Sequence, residues 1–571
     1  MEGRGKLWAC VVAGLVATFV FLATTSSTVT YGGDCGELLA SAYVLGIPHP
    51  PGYPLYMTLL HFFDRLLPGE PAFAGNLLSC LAGGLAVGIL GLASMALGAA
   101  PEASAVASLS FGLSHLFWGQ AVIAEVYSLN IALLGLVLLG SLEAGLRADL
   151  RWLSLSFLAL GLGLAHHPSI VVPSLPPLIL ATARCLRAYR LRAFWPVIFA
   201  VFGPILYIYL PLRSGAEVAW ERIKGLKDFV NYMTLYRGHF LSLPAGEAAR
   251  RVAIGFGLFP LQFLLLFPPG LRGIFVAERG AKVALLLTIT LTILVFANYD
   301  VGDVYNFFLP AYAAFVPFVA LGLTARRKRI TVGASLVGAM AVAYQAWLVF
   351  DLVNMRGKTR ARDYALEVLR SLPLNSVVLA GCDEVAFSML YVQRALGKRL
   401  DVRVDSCPPV RDLRVERPKN ALREGRPVCV LFFEERLFRR HKVEPLRFGW
   451  RLLPQRRIIQ RGASDSLGKA IPLDVLDTRA KRGECIPAVA GRRPHSGWLV
   501  VVAVREGEES RVSAGEVSLR APFSLGPSLL FFAYVTVIAL FRLCDSRGAE
   551  GGGAPLAPGR SASRGLQNWC P

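Results

Sequence analysis

YGGDCGELLASAYVLGIPHPPGYP, residues 31–54, follows the first strongly apolar run of the chain and decides how the rest is interpreted. It opens with an acidic pair, Asp34 and Glu37, and ends in the rigid run 49–54, in which His49 precedes two prolines. Carboxylates beside a membrane span are costly unless they are solvated or have a function. The side of the membrane on which this pair lies therefore determines what the protein can do.

The composition indicates a membrane protein. Of the 571 residues, 54% are hydrophobic, and the mean hydropathy is positive. The apolar residues gather in about twelve runs of roughly 17–25 residues, the length of a spanning helix. The runs are 7–24, 73–99, 104–121, 127–146, 152–167, 169–184, 194–212, 252–269, 283–297, 307–324, 330–350 and 523–543. The fifth and sixth, which His-His-Pro separates, are alternatively one broken helix.

The net charge of +21 raises the question of a nucleic-acid partner. The basic residues, however, gather in short loops between apolar runs, which is the positive-inside pattern of membrane proteins. They are Arg147 and Arg151; Arg184, Arg187, Arg190 and Arg192; Arg272, Arg279 and Lys282; and Arg326, Arg327, Lys328 and Arg329. The positive net charge is therefore explained by the membrane topology, and we expect no nucleic acid as a partner.

The topology follows by alternation from Arg4 and Lys6, which place the N-terminus in the cytoplasm. Asp34 then lies outside, and each of the four basic loops lies inside. A basic start and a small-residue end also make the first run a candidate cleaved signal peptide. Loop 213–251 falls outside although it carries seven basic residues, and it therefore calls for a separate explanation.

Acidic, histidine and tyrosine side chains from distant parts of the chain converge on the outer face. They are Asp34, Glu37 and His49; Glu125 and Tyr127; His166 and His167; and Asp300, Asp303 and Tyr305. Enzymes and transporters both assemble sites in this way, but a transporter places its key charges near the midplane. The position at the rim favours an enzyme.

The polar region 351–522 predicts a small extracytoplasmic α/β domain. A strand at 376–380, a helix at 384–396 and a strand at 400–404 suggest a βαβ unit. No glycine-rich phosphate loop follows a strand, so nucleotide binding is not supported, and a lid or acceptor platform is expected. The predicted domains are 1–350 (transmembrane, glycosyltransferase-like), 351–522 (α/β), 523–543 (C-terminal transmembrane helix) and 544–571 (disordered cytoplasmic tail).

The ten cysteines form no metal-binding pattern, because the sequence contains no CxxC. Five fall outside by the count, where disulfides are permitted. They are Cys35, Cys382, Cys407, Cys429 and Cys485. Their pairing stays open, and Cys35 is expected to be a packed thiol.

Segment 32–56 resembles the signature of a large multi-pass membrane family of bacterial and archaeal proteins related to an animal endoplasmic-reticulum protein O-mannosyltransferase. The pattern is an acidic residue, Gly, Glu, a short helix and H-P-P-G-x-P. Further similar pieces are 125–127, 167–168, 211–214, 299–303, 379–383 and 399–402. The resemblance covers most of residues 1–405. It implies a GT-C-like membrane glycosyltransferase that uses a polyprenyl-phosphate sugar and carries acidic catalytic residues in the first outside loop.

This chemistry suits the residue types. A sugar that leaves a polyprenyl phosphate departs with a stable anion, whereas the acceptor hydroxyl needs a base within hydrogen-bond reach. Asp34 or Glu37 supplies that base; Asp34 is favoured because it comes first after the span and precedes Gly36. Arg213 or Arg237 is expected to clamp the phosphate. The other candidate substrate-binding residues are His49, Glu125, Tyr127, His167, Asp300 and Asp303.

Several of these residues also have purely structural explanations. Asp34 and Glu37 have the spacing of a helix capping box. Arg213 is alternatively a snorkelling side chain, and the two histidines at 166 and 167 are alternatively interfacial. Asp383 and Asp401 are expected to end strands and turns rather than to bind a metal.

The sequence thus predicts an α-helical polytopic membrane protein of GT-C type with a small extracytoplasmic α/β domain. The expected activity is inverting transfer of a sugar, such as mannose, from a polyprenyl-phosphate donor to a hydroxyl of a protein, lipid or glycan acceptor. The site is extracytoplasmic, in the cell membrane of a prokaryote or the endoplasmic-reticulum membrane of a eukaryote. Membrane lipid is a further partner; no cofactor or metal is assigned, and metal dependence stays open.

Two other classes of protein remain as alternatives. One is a transporter or flippase for a lipid-linked or acidic solute, which should place ionisable groups deep within its spans. The other is a non-catalytic assembly or sugar-sensing protein.

Overall fold

The computed structural model of the chain describes residues 2–405, 421–432 and 442–453, and the backbone of 491–492 and 498–499. The chain divides into two compact units, Met1–Cys407 and Pro408–Pro571. The predicted helix 523–543 and tail 544–571 lie outside the described residues, as do Cys407 and Cys485. The domain boundaries expected from the sequence therefore stay predictions.

Helices build almost the whole described part of the first unit. They are α1 (Glu2–Thr24), α2 (Cys35–Tyr43), α3 (Pro54–Leu66), α4 (Pro71–Ala96), α5 (Pro101–Gly112), α6 (His115–Ala121), α7 (Tyr127–Arg147), α8 (Leu150–His166), α9 (Val171–Tyr189), α10 (Phe202–Ile205), α11 (Tyr209–Leu212), α12 (Leu226–Met233), α13 (Ala245–Gly257), α14 (Phe259–Phe263), α15 (Phe267–Val276), α16 (Arg279–Phe296), α17 (Leu309–Leu323), α18 (Lys328–Val353), α19 (Arg360–Ser371) and α20 (Asp383–Arg394). Segments of 3-10 helix lie at Pro168–Ile170, Arg190–Val201, Leu206–Ile208, Leu235–His239, Leu264–Leu266 and Val304–Phe308.

Eight helical stretches in the described residues are long and apolar enough to cross a membrane. They are Leu7–Thr24, Pro71–Ala96, Tyr127–Arg147, Pro168–Leu212, Ala245–Val276, Arg279–Phe296, Val304–Leu323 and Lys328–Val353, with the shorter apolar helix Leu150–His166 beside them. The predicted runs before residue 351 all fall on helical segments, although 104–121 is split into α5 and α6, and 169–212 is one continuous stretch. The chain is a polytopic integral membrane protein.

The helices pack in two kinds of environment. Helix α4 packs against α1, α5 and α7, and every residue of α17 is buried. A helix that is apolar on all sides belongs in the interior of a bundle. By contrast, α1 and α18 keep large apolar side chains exposed, among them Phe19 at 73% and Trp347 at 64%. Such a surface suits contact with lipid chains.

The predicted βαβ unit is confirmed. Strand β1 (Val377–Leu379) pairs in parallel with β2 (Arg403–Asp405), and α20 connects them. Helix α20 also packs directly on α2, the helix of the opening motif. A Cβ at Gly36 would lie 2.5 Å from the Phe387 carbonyl, so only glycine permits this approach. The contact places the first turn of α20 beside the acidic pair.

The second unit contributes short antiparallel strands. They are β3 (Val428–Val430), β4 (Lys442–Pro445), β5 (Trp450–Leu453), β6 (Gly491–Arg492) and β7 (Trp498–Leu499). Strand β5 lies between β3 and β4, and β6 pairs with β7.

Candidate active site

The acidic pair does not form a capping box. Asp34 is the N-cap residue of α2, but its side chain makes no capping hydrogen bond. Its backbone N–H donates instead to Glu125 Oε1, at 2.7 Å. Glu37 accepts from the backbone N–H of His49, at 2.9 Å, rather than from the start of its own helix. The capping explanation is therefore wrong, and both carboxylates are directed towards other groups.

Glu37 and His49 form a tightly bonded pair. The His49 Nδ1 lies 2.6 Å from Glu37 Oε2, so both Glu37 oxygens are bonded to the same residue. The other ring nitrogen, Nε2, lies 2.6 Å from the Tyr53 hydroxyl and 3.6 Å from Asp34 Oδ2. The Glu37 side chain is 3% exposed, whereas that of Asp34 is 42% exposed. Asp34 is the carboxylate that an incoming molecule can reach.

The two carboxylates keep the imidazole protonated. Burial alone lowers the pKa of His49, but Asp34 and Glu37 outweigh it and raise the pKa to about 10. The imidazolium then donates from both nitrogens, to Glu37 and to Tyr53. For Asp34, withdrawal from water raises the pKa, His49 lowers it, and Glu37 raises it again; the net direction is upward. Water reaches part of this side chain and screens part of the effect.

Glu125 holds the backbone at Asp34. It lies before α7, is 3% exposed, and its backbone N–H donates to Ser79 Oγ at 3.3 Å. Burial and the charge of Asp34 raise the pKa of Glu125 well above its usual range. The approach is close: Gly33 has φ of +51°, and a Cβ there would lie 2.4 Å from Glu125 Oε1. Both the positive φ and the close contact with Glu125 require glycine at position 33.

A second group of aromatic and acidic side chains lies beside Tyr53. The Tyr127 hydroxyl donates to Asp303 Oδ2. The ring centroid of His167 lies 5.7 Å from that of Tyr53 and 6.4 Å from that of Tyr127. His166 points elsewhere: its Nε2 lies 2.7 Å from the Val126 carbonyl oxygen in a fully buried environment. His166 thus has a structural contact, whereas His167 and Asp303 belong to the group of side chains around Tyr53 and Tyr127.

The three remaining candidates, Arg213, Asp300 and Arg237, each have a different environment in the structure. Arg213 donates to the Leu45 and Val44 carbonyls, at 2.7 and 2.9 Å, and so closes the end of α2. Asp300 forms an ion pair with Arg251 at 3.4 Å. Arg237 is exposed, and it directly follows Tyr236, whose ring centroid lies 6.3 Å from that of His49. Arg237 is therefore the better placed of the two arginines for an anionic ligand.

Several residues around the site were not predicted. Tyr53 lies within the opening motif, in the non-helical run between His49 and the start of α3, and its nearness to His49 in the chain was a usable signal. Asp383, expected only to end a strand, lies near enough to raise the pKa of Asp34. Cys382 beside it is disulfide-bonded. Cys35 is a buried free thiol, as expected.

A cation-binding arrangement overlaps the same groups. One donor atom each of Asp34, Glu37 and His49 lies within 4.8 Å of the other two. A metal ion would have to displace a proton from His49, whose two nitrogens already contact Glu37 and Tyr53. Metal binding at this cluster therefore requires the imidazole to lose a proton that faces Glu37 or Tyr53.

The fold is that of the GT-C membrane glycosyltransferases. The structure matches ArnT from Cupriavidus metallidurans in the apo state with a TM-score of 0.53 at 14% sequence identity, over 79% of this chain and 98% of that one. The same enzyme bound to undecaprenyl phosphate matches with a TM-score of 0.50 at 14% identity, over 75% of this chain and 92% of that one. The predicted fold class is confirmed.

The sequence comparisons confirm the predicted resemblance more specifically. The family model "Protein O-mannosyl-transferase TMEM260 N-terminal domain" matches residues 34–187. The mouse protein O-mannosyl-transferase TMEM260 is 26% identical over 449 residues, which are 70% of this chain and 63% of the mouse protein. The Dictyostelium discoideum protein of the same name is 28% identical over 125 residues, 21% of this chain and 15% of that protein. The match to the family model begins at Asp34.

Proposed function

We propose that this protein is a GT-C-type glycosyltransferase that moves a sugar, such as mannose, from a polyprenyl-phosphate donor to a hydroxyl of a protein, lipid or glycan. One observation carries the proposal. In a GT-C-like fold, the carboxylate of Asp34 remains exposed beside a fully bonded Glu37–His49 pair. This is the arrangement that a base for an acceptor hydroxyl requires.

The roles follow from the contacts. Asp34 accepts the proton of the acceptor hydroxyl as that oxygen attacks the anomeric carbon, and the bond to the donor phosphate breaks. A single displacement of this kind inverts the anomeric centre. Glu37 positions the His49 imidazolium, whose Nε2 lies 3.6 Å from Asp34 Oδ2, and Glu125 fixes the Asp34 backbone. Arg237 binds the departing phosphate, in keeping with its exposed position beside Tyr236.

The distribution of charges favours an enzyme over a transporter. On α7, Glu143 pairs with Arg147 at 2.8 Å near the end of the helix. Asp34, Glu125 and Asp303 lie in the connections before α2 and α7 and before the segment Val304–Phe308, and Glu37 lies in the first turn of α2. A transporter would be expected to carry its coupling groups in the middle of its spans.

The test is direct. Purified protein is incubated with polyprenyl-phosphate mannose and other polyprenyl-phosphate sugars in the presence of a peptide carrying Ser and Thr, a hydroxyl-bearing lipid or an oligosaccharide, and the anomeric configuration of any product is determined by NMR. Consumption of one donor with inversion is expected. Retention would contradict the single displacement, and no transfer from any donor would contradict the proposal.

The side of the membrane needs its own experiment. We propose that the site formed by Asp34, Glu37 and His49 faces outward, and the disulfide at Cys382 supports an oxidising compartment. Single cysteines are introduced at the exposed positions Lys224 and Arg326 and treated with an impermeant thiol reagent in sealed cells. Labelling at 224 only is expected, and labelling at 326 only would reverse the orientation.

A further inference from the structure

Trp220 is a large aromatic side chain that the proposed mechanism leaves unused. It lies in the basic segment 213–251 that the charge rule failed to explain, and it is 41% exposed. Its ring centroid lies 6.1 Å from that of His49, with the two rings at 71° to each other. The ring therefore lies beside the His49 imidazole, whose Nε2 is 3.6 Å from Asp34 Oδ2, while part of the ring surface stays open.

The backbone fixes Trp220 in this position. The Trp220 N–H donates to the Ile47 carbonyl at 2.9 Å, and the Ile47 N–H donates to the Val218 carbonyl at 2.8 Å. A Cβ at Gly46 would lie 2.2 Å from the Val218 oxygen, so the two segments touch along their main chains. Ile47 and His49 are two residues apart, and the position of Trp220 is thereby coupled to that of the His49 loop.

In the described part of the chain, three aromatic rings lie around His49, but they are not equivalent. Tyr53 is buried and uses its hydroxyl on His49. Tyr236 is half-buried, with its centroid 6.3 Å from that of His49. Trp220 is the one with a large exposed face. An aromatic face carries partial negative charge, whereas the C–H faces of a hexose are apolar and slightly positive. Binding sites typically combine such apolar surfaces with a few polar groups.

We infer that Trp220 is the platform on which the sugar ring of the donor lies, so that the anomeric carbon faces Asp34. This inference rests on the proposed function and specifies the part of the site that recognises the sugar. An interfacial tryptophan that only anchors the protein to lipid is the competing explanation. An anchor would act on any lipid equally, whereas a platform acts only when a sugar is present.

The experiment compares two ligands on full-length protein in detergent by calorimetry: farnesyl phosphate mannose and farnesyl phosphate. Trp220→Ala is expected to weaken binding of the mannosyl lipid about tenfold and binding of farnesyl phosphate less than about twofold. Trp220→Phe, which keeps an aromatic face, should lie close to wild type. Trp347→Ala, an exposed tryptophan on α18, is the matched control and should change neither affinity.

Each result has a distinct meaning. Equal weakening of both ligands by Trp220→Ala overturns the platform in favour of an anchor, and unchanged affinities overturn both. If wild-type protein binds the mannosyl lipid with the expected dependence on Trp220 but transfers no sugar, the platform stands and the transferase proposal fails. If wild-type protein binds neither lipid, both proposals fail.

Discussion

Replacing Asp34 with asparagine separates catalysis from folding. The Asp34 side chain makes no capping hydrogen bond, and its nearest charged partner, His49 Nε2, lies 3.6 Å away. Asparagine keeps the size of the side chain and leaves the backbone bond from residue 34 to Glu125 intact. It removes only the negative charge and the capacity to accept a proton.

The Asp34→Asn substitution should affect turnover far more than stability. Loss of a partly exposed ion pair should change the free energy of unfolding by about 0–1 kcal/mol. Loss of a general base should lower turnover at least about 10²-fold, which corresponds to about 2.7 kcal/mol in the activation free energy. Asp34→Ala should also fold, contrary to the expectation from a capping box, because the structure contains no cap to lose.

The assay is turnover of polyprenyl-phosphate mannose at saturating donor, with thermal unfolding measured on the same preparations. Asp228→Asn is the control: Asp228 accepts from the Lys224 N–H at 3.0 Å, and asparagine can do the same. Because the pKa of Asp34 is raised, wild-type turnover should fall as pH drops through a range above that of ordinary carboxyls. An Asp34→Asn protein with near-normal turnover would refute the assignment.

The other predictions concern the groups around Asp34. Glu37→Gln should lower turnover and shift the pH profile while leaving donor affinity unchanged, since Glu37 acts through His49; an unchanged profile would contradict that role. The interaction of protonated His49 with Asp34 and Glu37 stabilises the fold, and this contribution is complete below the pKa of about 6.5 that histidine has in the unfolded chain. The unfolding temperature of the wild type should therefore fall as pH rises through about 10, and this fall should be smaller in the His49→Gln variant. Arg237→Ala should weaken donor binding with partial rescue by Lys, whereas Arg213→Ala should mainly lower the unfolding temperature. A chelator should leave turnover unchanged; loss of turnover that Mn²⁺ restores would show that the cluster works as a metal site.

The fold was largely predictable because a membrane imposes it. Apolar runs of spanning length and basic loops between them follow from the cost of burying backbone and charge in lipid. The helical segments before residue 351 and the βαβ unit appear where the sequence placed them. The break of 104–121 into α5 and α6 at Leu113 and Ser114 was missed, although Gly112 ends α5 and Ser114, a residue type favoured at N-caps, is the N-cap residue of α6.

The geometry of the site was most predictable where its residues lie in one motif, although Glu125, Tyr127, His167 and Asp303 were also expected on the same face. Asp34, Glu37 and His49 are close in the chain, and their meeting needs only one helix and one loop. Trp220 reaches His49 through main-chain hydrogen bonds between segments far apart in the sequence, and hydropathy carries no signal for such a contact. Arg213 was misleading for a related reason: its carbonyl partners carry no side-chain signature.

The two carboxylates of the motif differ because one turn of helix separates them. Asp34 precedes α2, where the chain is still open to water, and it stays 42% exposed. Glu37 lies inside the helix, where the loop carrying His49 folds over it, and it is 3% exposed. Neighbouring acids in unequal environments take unequal roles. Glu37, which is buried, positions the His49 imidazolium. Asp34, which is exposed, is free to receive a proton from the acceptor hydroxyl.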